Sequence, residues 1–118
     1  MLESITAEFS VDGTNPQAKQ IAMGMHGAVP ILYGLGTWQG LIANRWRSQI
    51  NENSKQLTFF NTYPELNHNE ILGWVKADTM GVSKFVGVCL SSADASAKMR
   101  KRAEVTEELV KDVAKFHH

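Results

Sequence analysis

Cysteine is nearly missing from this chain. The one residue, Cys89, excludes an intrachain disulfide framework and any cysteine-rich zinc site. It lies in the apolar stretch FVGVCL, where a buried, inert thiol is expected, and this fits a reducing, cytoplasmic setting. A charge bias is also missing. Lys plus Arg and Asp plus Glu number 12 each. That balance gives no electrostatic reason to expect nucleic acid or an acidic membrane as partner. No apolar run approaches the ~20 residues that span a bilayer, so a soluble protein with no membrane partner is expected. The opening MLESITAEFSVDG carries acids and no basic segment, which is unlike a secretory signal. Internal repeats and low-complexity segments are absent from the sequence as well.

What is there suits one domain with one core in 118 residues. Residues 1–14 read as an irregular lead-in, with a turn at Asp12-Gly13. Residues 15–118 read as a single α/β domain. Asn15-Pro16 offers a cap and a first helical residue, and Ala18, Ile21, Ala22 and Met25 keep helical spacing, so 16–26 is a helix stopped by Gly27. VPILY (29–33) is a short continuous apolar run, which suits a strand buried on both faces. Gly34-Leu35-Gly36 permits a tight turn into a helix over 38–53, with Thr37 as its cap. Trp38, Leu41, Ile42, Trp46, Gln49 and Ile50 form that helix's apolar stripe. LTFFNT (57–62) is a second strand, ended by Tyr63-Pro64. A short helix over 67–76 and a loop over 77–83 follow. KFVGVCLS (84–91) is a third strand, 91–99 a polar connection, and 103–116 the last helix. That helix places Val105, Leu109, Val113 and Phe116 on one face and pairs Glu107 with Lys111. The alternation predicts a three-layer α/β sandwich with a mainly parallel sheet. Sites in such sheets form at the carboxyl ends of the strands, and both polar clusters described next are expected there.

Those clusters are Asn51-Glu52-Asn53 and Asn67-His68-Asn69-Glu70. Glu52 lies 14 residues beyond Trp38, about 40° away on a helical wheel, at the edge of the apolar stripe. Partial burial there would raise a carboxyl pKa and suit a general base. Position alone favours a helix-end carboxylate that is solvated or paired with Lys55. His68, close to a helix start and flanked by two asparagines, is either a proton-transfer group with a fixed tautomer or a structural, capping histidine. A metal site is not expected: His68 and Glu70 do not share a helix face, and no H-E-x-x-H or cysteine pair exists. Acyl transfer lacks a Gly-x-Ser-x-Gly motif, and the Gly34-Leu35-Gly36 turn lacks the rest of a dinucleotide fingerprint. Arg45 and Arg47 can bind phosphate or simply edge a solvated helix.

QINENSK followed by TYPELNHNEILGW resembles the bifunctional phosphoglucose/phosphomannose isomerase family. The resemblance runs from about Asn15 through Trp74 with the same order of elements, and more loosely to the last helix. It implies a sugar-isomerase (SIS) subdomain, the second of two in a longer enzyme. It implies that Glu52 moves a proton between C1 and C2 of the sugar and that His68 assists ring opening. The sixteen-residue interval between them matches the family pattern. Asn51, Asn53 and Asn67 become candidates for holding substrate. The implied substrates are fructose 6-phosphate, glucose 6-phosphate and mannose 6-phosphate, with no metal and no cofactor. The implied assembly is a homodimer with a site shared between subunits. The family's Ser/Thr phosphate loop and its C-terminal Thr-Pro and Lys have no counterpart here, so the segment alone is expected to be incomplete. A non-catalytic SIS domain that binds sugar phosphates as a sensor, or a dimerisation module, is the alternative.

Overall fold

A computed structural model of the chain describes residues 1–77, 79 and 84–118. Strands β1 (Val29–Leu35), β2 (Phe59–Tyr63), β3 (Phe85–Leu90) and β4 (Ala114–His117) form one sheet in the order β2-β1-β3-β4. All three pairings are parallel, with Ile31 level with Phe59 on one side and Gly87 on the other. Ile31, Tyr33, Leu35 and Cys89 point to one face, beneath α4 (Glu70–Trp74) and α5 (Ala97–Val110). Leu32, Val86 and Val88 point to the other, beneath α2 (Pro16–Met25) and α3 (Thr37–Gln49). Burial on both faces is why β1 and β3 read as unbroken apolar runs. The three-layer parallel sandwich expected from the alternation is therefore the fold.

The approach of α3 to the sheet is unusually close. A Cβ at Gly34 would lie 2.3 Å from the backbone nitrogen of Gly40, and a Cβ at Gly40 would lie 2.2 Å from the Thr62 methyl. Small residues thus form the contact, and Gly40, Ala43 and the following Ile50 are what is buried. Of the stripe expected to face the core, Ile50 is buried and Trp46 packs against the core, but the first half does not face it. Trp38, Leu41 and Ile42 are 75%, 56% and 57% exposed. Helical spacing identifies a face but not which face meets the sheet, and here the small residues won. The entry to α3 also differs. Gly34 and Leu35 still belong to β1, the turn falls at Gly36 with φ 111°, and Thr37 is the first helical residue rather than the cap.

Other boundaries moved. α1 (Leu2–Glu8) occupies the stretch expected to be irregular; it buries no residue, and the Asn15 amide donates to the Glu8 carbonyl at 3.1 Å. The run LESITAE holds no helix breaker, which is enough for a short exposed helix. Only Glu70–Trp74 of the expected 67–76 helix is α-helical, after a tight turn over Glu65–Asn67. β2 lies slightly later than expected, and Pro64 follows it as predicted. The last helix starts at Ala97, where the Ser96 hydroxyl accepts from the Met99 amide at 3.3 Å, and ends at Val110. Its buried residues are Ala103, Thr106 and Val110, while Val105 and Leu109 are exposed. Lys111 pairs with Glu108 at 2.5 Å, not with Glu107. Phe116 belongs to β4, where its ring stacks on Tyr33 with centroids 5.8 Å apart. Four residues are too few to show a strand period. The loop expected over 77–83 lies, apart from Ala77 and Thr79, outside the described residues. Among the described residues no helix is long and apolar enough to cross a membrane.

Candidate active site

The two polar clusters lie at opposite ends of the sheet. α3 starts at the carboxyl end of β1 and runs back along β1 and β2, so its end arrives at the amino end of β2. There it closes in a π-helical turn over Ile50–Ser54, and Lys55 takes a left-handed conformation at φ 54°. Asn51 fixes this turn. Its amide donates to the carbonyls of Arg47 (2.9 Å) and Thr58 (3.0 Å), and its oxygen accepts from the Thr58 N–H at 3.2 Å. Gln56 ties the same region to α2 by donating to the carbonyls of Met25 (2.5 Å) and Ala28 (3.0 Å).

Glu52 is exposed on this turn, and the Lys55 amine donates to its backbone carbonyl rather than to its carboxylate. The expected partial burial at the edge of a core-facing stripe is not found, because α3 ends at Gln49 and the π-helical turn after Ile50 carries Glu52 out to solvent. Asn53 is exposed and donates to Gln49 at 3.0 Å. Arg45 is exposed, while Arg47 donates to Asn44 at 2.9 Å and 3.1 Å and lies 5.5 Å over the Phe60 ring.

His68 follows the carboxyl end of β2 and is exposed. Asn69 holds the local turn, its oxygen accepting from the Glu70 N–H at 2.6 Å and its amide donating to Glu65 at 3.1 Å. Asn67 donates to the Thr106 hydroxyl at 2.8 Å and so fastens the turn to α5. From Thr58 to Pro64 the chain rises about 3.3 Å per residue, which sets Glu52 and His68 on the order of 20 Å apart. The expectation that both clusters sit at the carboxyl ends holds for His68 and fails for Glu52. One copy of this chain does not bring the two together.

The structure adds Tyr33, Asn61 and Trp74, which the sequence did not single out, as partners of Glu70 and its network. Glu70, the last residue of the second cluster, accepts from the Tyr33 hydroxyl and from Asn61 at 2.7 Å. Trp74 donates its indole N–H to the Tyr33 oxygen at 3.0 Å. Burial first, and then the Glu70 carboxylate, push the Tyr33 phenol far above its ordinary range. The network locks α4 to β1 and β2 directly behind His68. Glu70 also walls an apolar cavity of about 380 Å³ with Ile31, Phe59, Phe60, Trp74 and Phe85. The hint in the sequence was a single acid amid apolar neighbours at 70–74. At the point where strand order reverses, between the carboxyl ends of β1 and β3, Gln39 in the first turn of α3 donates to Ser92, just after β3, at 2.6 Å.

Residues 14–117 match the family model described as the bacterial phospho-glucose isomerase C-terminal SIS domain. A bifunctional phosphoglucose/phosphomannose isomerase of Aquifex aeolicus is 30% identical over 87% of this chain and 31% of its own length. One of Caldicellulosiruptor bescii is 35% identical over 81% of this chain and 28% of its own length. A D-glucosamine-6-phosphate 4-epimerase of Sulfolobus acidocaldarius is 44% identical over 44% of this chain. The chain thus spans less than a third of the length of the bifunctional isomerases described here. No solved structure matches it significantly. With a match over nearly its whole length, and the three-layer parallel fold to go with it, the chain belongs to the bacterial phospho-glucose isomerase C-terminal SIS domain family.

Proposed function

We propose that this chain is the C-terminal SIS domain, residues 15–118, of a cytoplasmic sugar-phosphate isomerase. The reaction is aldose–ketose interconversion among glucose 6-phosphate, mannose 6-phosphate and fructose 6-phosphate. The single observation that carries the reading is the family match over 14–117, which takes in both polar clusters. Glu52 is the base that carries a proton between C1 and C2 through a cis-enediol. A carboxylate is small enough to serve both carbons, and closing the site around it supplies the desolvation that tunes it. His68 opens the sugar ring, since an imidazole both donates and accepts near neutral pH. This chemistry calls on no metal and no cofactor.

Of the candidate asparagines, the exposed Asn53 is the best placed to meet a sugar, because Asn51 is engaged with Arg47 and Thr58 and the Asn67 amide with Thr106. The distance between the clusters supports a site shared in a homodimer, Glu52 from one subunit and His68 from the other. The outward face of α3 supports the same assembly: Trp38, Leu41 and Ile42 form an apolar patch on the helix that leads to Glu52.

Mixing two inactive variants of the full-length protein tests this. Glu52→Gln and His68→Ala homodimers are each expected to lose isomerase activity by a factor of about 10² to 10⁴. After subunit exchange, each mixed dimer carries one intact site and one doubly damaged site. A random one-to-one mixture then regains about a quarter of wild-type activity. No recovery after verified exchange places both residues in one subunit's site. Normal turnover of either single variant would remove that residue from the chemistry, and no turnover by the wild-type protein would favour a sugar-phosphate sensor or dimerisation module instead.

A further inference from the structure

A second cluster of chemically active side chains lies at the carboxyl end of the sheet, assembled from three parts of the sequence. Cys89 is near the end of β3, Glu107 is on α5, and His118 directly follows β4. The sulfur, a carboxylate oxygen and a ring nitrogen all lie within 4.8 Å of one another. Elementary periodicities bring them there. β3 and β4 pair in parallel, with Val88 level with His117, so the next residues, Cys89 and His118, fall side by side on the opposite face. Glu107 lies four residues after the buried Ala103, on the face that α5 turns to the same side of the sheet.

Nε2 of His118 is 2.9 Å from the Glu107 carboxylate. Gln17 of α2 donates to the His118 carbonyl and holds the chain end in place. His117 takes no part, since its ring packs against Gly24 of α2 across the sheet.

The surroundings point the same way. Tyr63 Oη and Asn67 Oδ1 are buried in this corner without a hydrogen-bond partner among the described residues, while Glu107 Oε1 has the His118 ring nitrogen at 2.9 Å. Asn67 is bonded through its amide to Thr106, next to Glu107. Burial first, and then the neighbouring Cys89 and Glu107, push the Tyr63 phenol up. Buried polar atoms are normally paired, and two such atoms beside the cluster leave polar capacity there unused. We propose that Cys89, Glu107 and His118 bind a zinc ion. A thiolate, an imidazole and a carboxylate form a set of borderline softness that suits Zn²⁺ over Mg²⁺ or Ca²⁺. Bonds of about 2.0–2.3 Å set tetrahedral ligands about 3.5 Å apart. The three atoms, now within 4.8 Å of one another, would have to close slightly to that size, and the His118 ring is 57% exposed and has room to turn.

Three protein ligands leave a fourth position for water or a substrate oxygen. Binding converts the thiol to thiolate and releases its proton to solvent. The ion would tie the end of β4 to α5 beside the Asn67-His68 turn.

The test uses the full-length protein, carrying no added histidine tag and stripped with a chelator. Co²⁺ is titrated in first as a coloured stand-in, and Zn²⁺ is then measured by its displacement. The expected result is one ion per chain, a thiolate-to-cobalt charge-transfer band, and the strong visible bands of a tetrahedral site. Cys89→Ala abolishes the charge-transfer band, and Glu107→Gln and His118→Ala each weaken Zn²⁺ binding by about tenfold or more. His117→Ala leaves it unchanged. If Cys89→Ala fails to fold, the exposed His118→Ala reads the same loss. No band with wild type, or equal loss from His117→Ala and His118→Ala with the band lacking, reduces the cluster to casual chelation by the terminal histidines and overturns the proposal.

Discussion

Trp74 donates its indole N–H to the hydroxyl of Tyr33 at 3.0 Å, and that hydroxyl donates in turn to Glu70. The pair joins the short helix α4 to the centre of the sheet. Both residues are buried, so neither bond has water to fall back on.

Tyr33→Phe keeps the ring and removes both bonds. It leaves the Trp74 N–H without its acceptor and deprives Glu70 of one of its two donors. A loss of about 2–3 kcal/mol in unfolding free energy is expected, measured by urea denaturation. Trp74→Phe in the same background should cost less than it does in wild type, since the shared bond is already gone.

The same burial makes stability depend on alkaline pH. Tyr33 is stabilised as the neutral phenol, with its folded pKa raised by desolvation and then by Glu70. Its contribution is complete below the unfolded value of about 10 and fades as pH rises above it. Tyr63→Phe leaves Tyr33 as the only tyrosine of the two in the chain. In that variant the ultraviolet tyrosinate signal should rise together with loss of far-ultraviolet circular dichroism. A signal that rises well before unfolding would show Tyr33 titrating freely in the fold.

Gly34 and Gly73 should respond to alanine in opposite directions. At Gly34 the new methyl would meet the backbone of Gln39 and Gly40, within 2.3–2.6 Å, and α3 would have to lift from the sheet. A cost of about 3 kcal/mol is expected, as for severe overpacking. At Gly73, within α4, a Cβ meets nothing within 4 Å. Gly73→Ala should stabilise by roughly 0.5–1 kcal/mol through helix propensity and a less flexible unfolded chain. Thermal melts of the two variants check both signs.

Trp38 is 75% exposed, on the outward face of α3. Trp38→Ser should change the unfolding free energy of the isolated chain by no more than about 0.5 kcal/mol. In the full-length protein it should weaken self-association at least about tenfold, read by sedimentation, because large aromatic side chains dominate interface energies. Unchanged association would remove the α3 face from the subunit contact.

The apolar runs at 29–33 and 84–91 announced strands buried on both sides, and their alternation with helices announced a parallel three-layer fold. Both signals are local and are repeated several times over, which is why they survive into the fold. Asn15-Pro16 and Gly27 bounded α2 for the same reason, since caps and breakers act within a turn of where they stand. The family motifs around Glu52 and His68 were legible as words in the sequence, but their positions were not. α3 runs the length of the sheet, so one cluster sits at each end of β2. The orientation of α3 about its own axis was likewise hidden. Periodicity gives a stripe, and only the near-contact of Gly34 with Gly40 determines that the small residues go inward.

The sequence by itself determined the layers, the parallel sheet and the family of this chain, because those follow from short-range patterning and from two contiguous motifs. Only the tertiary structure decided which side chains meet. Strand β4 is four residues long and carries no period of its own; pairing with β3 sets its register and brings His118 beside Cys89. Glu107 arrives from a helix eleven residues earlier, and Tyr33, Glu70 and Trp74 converge from three elements. Contacts of that kind depend on how elements pack in space, and spacing along the chain does not encode it.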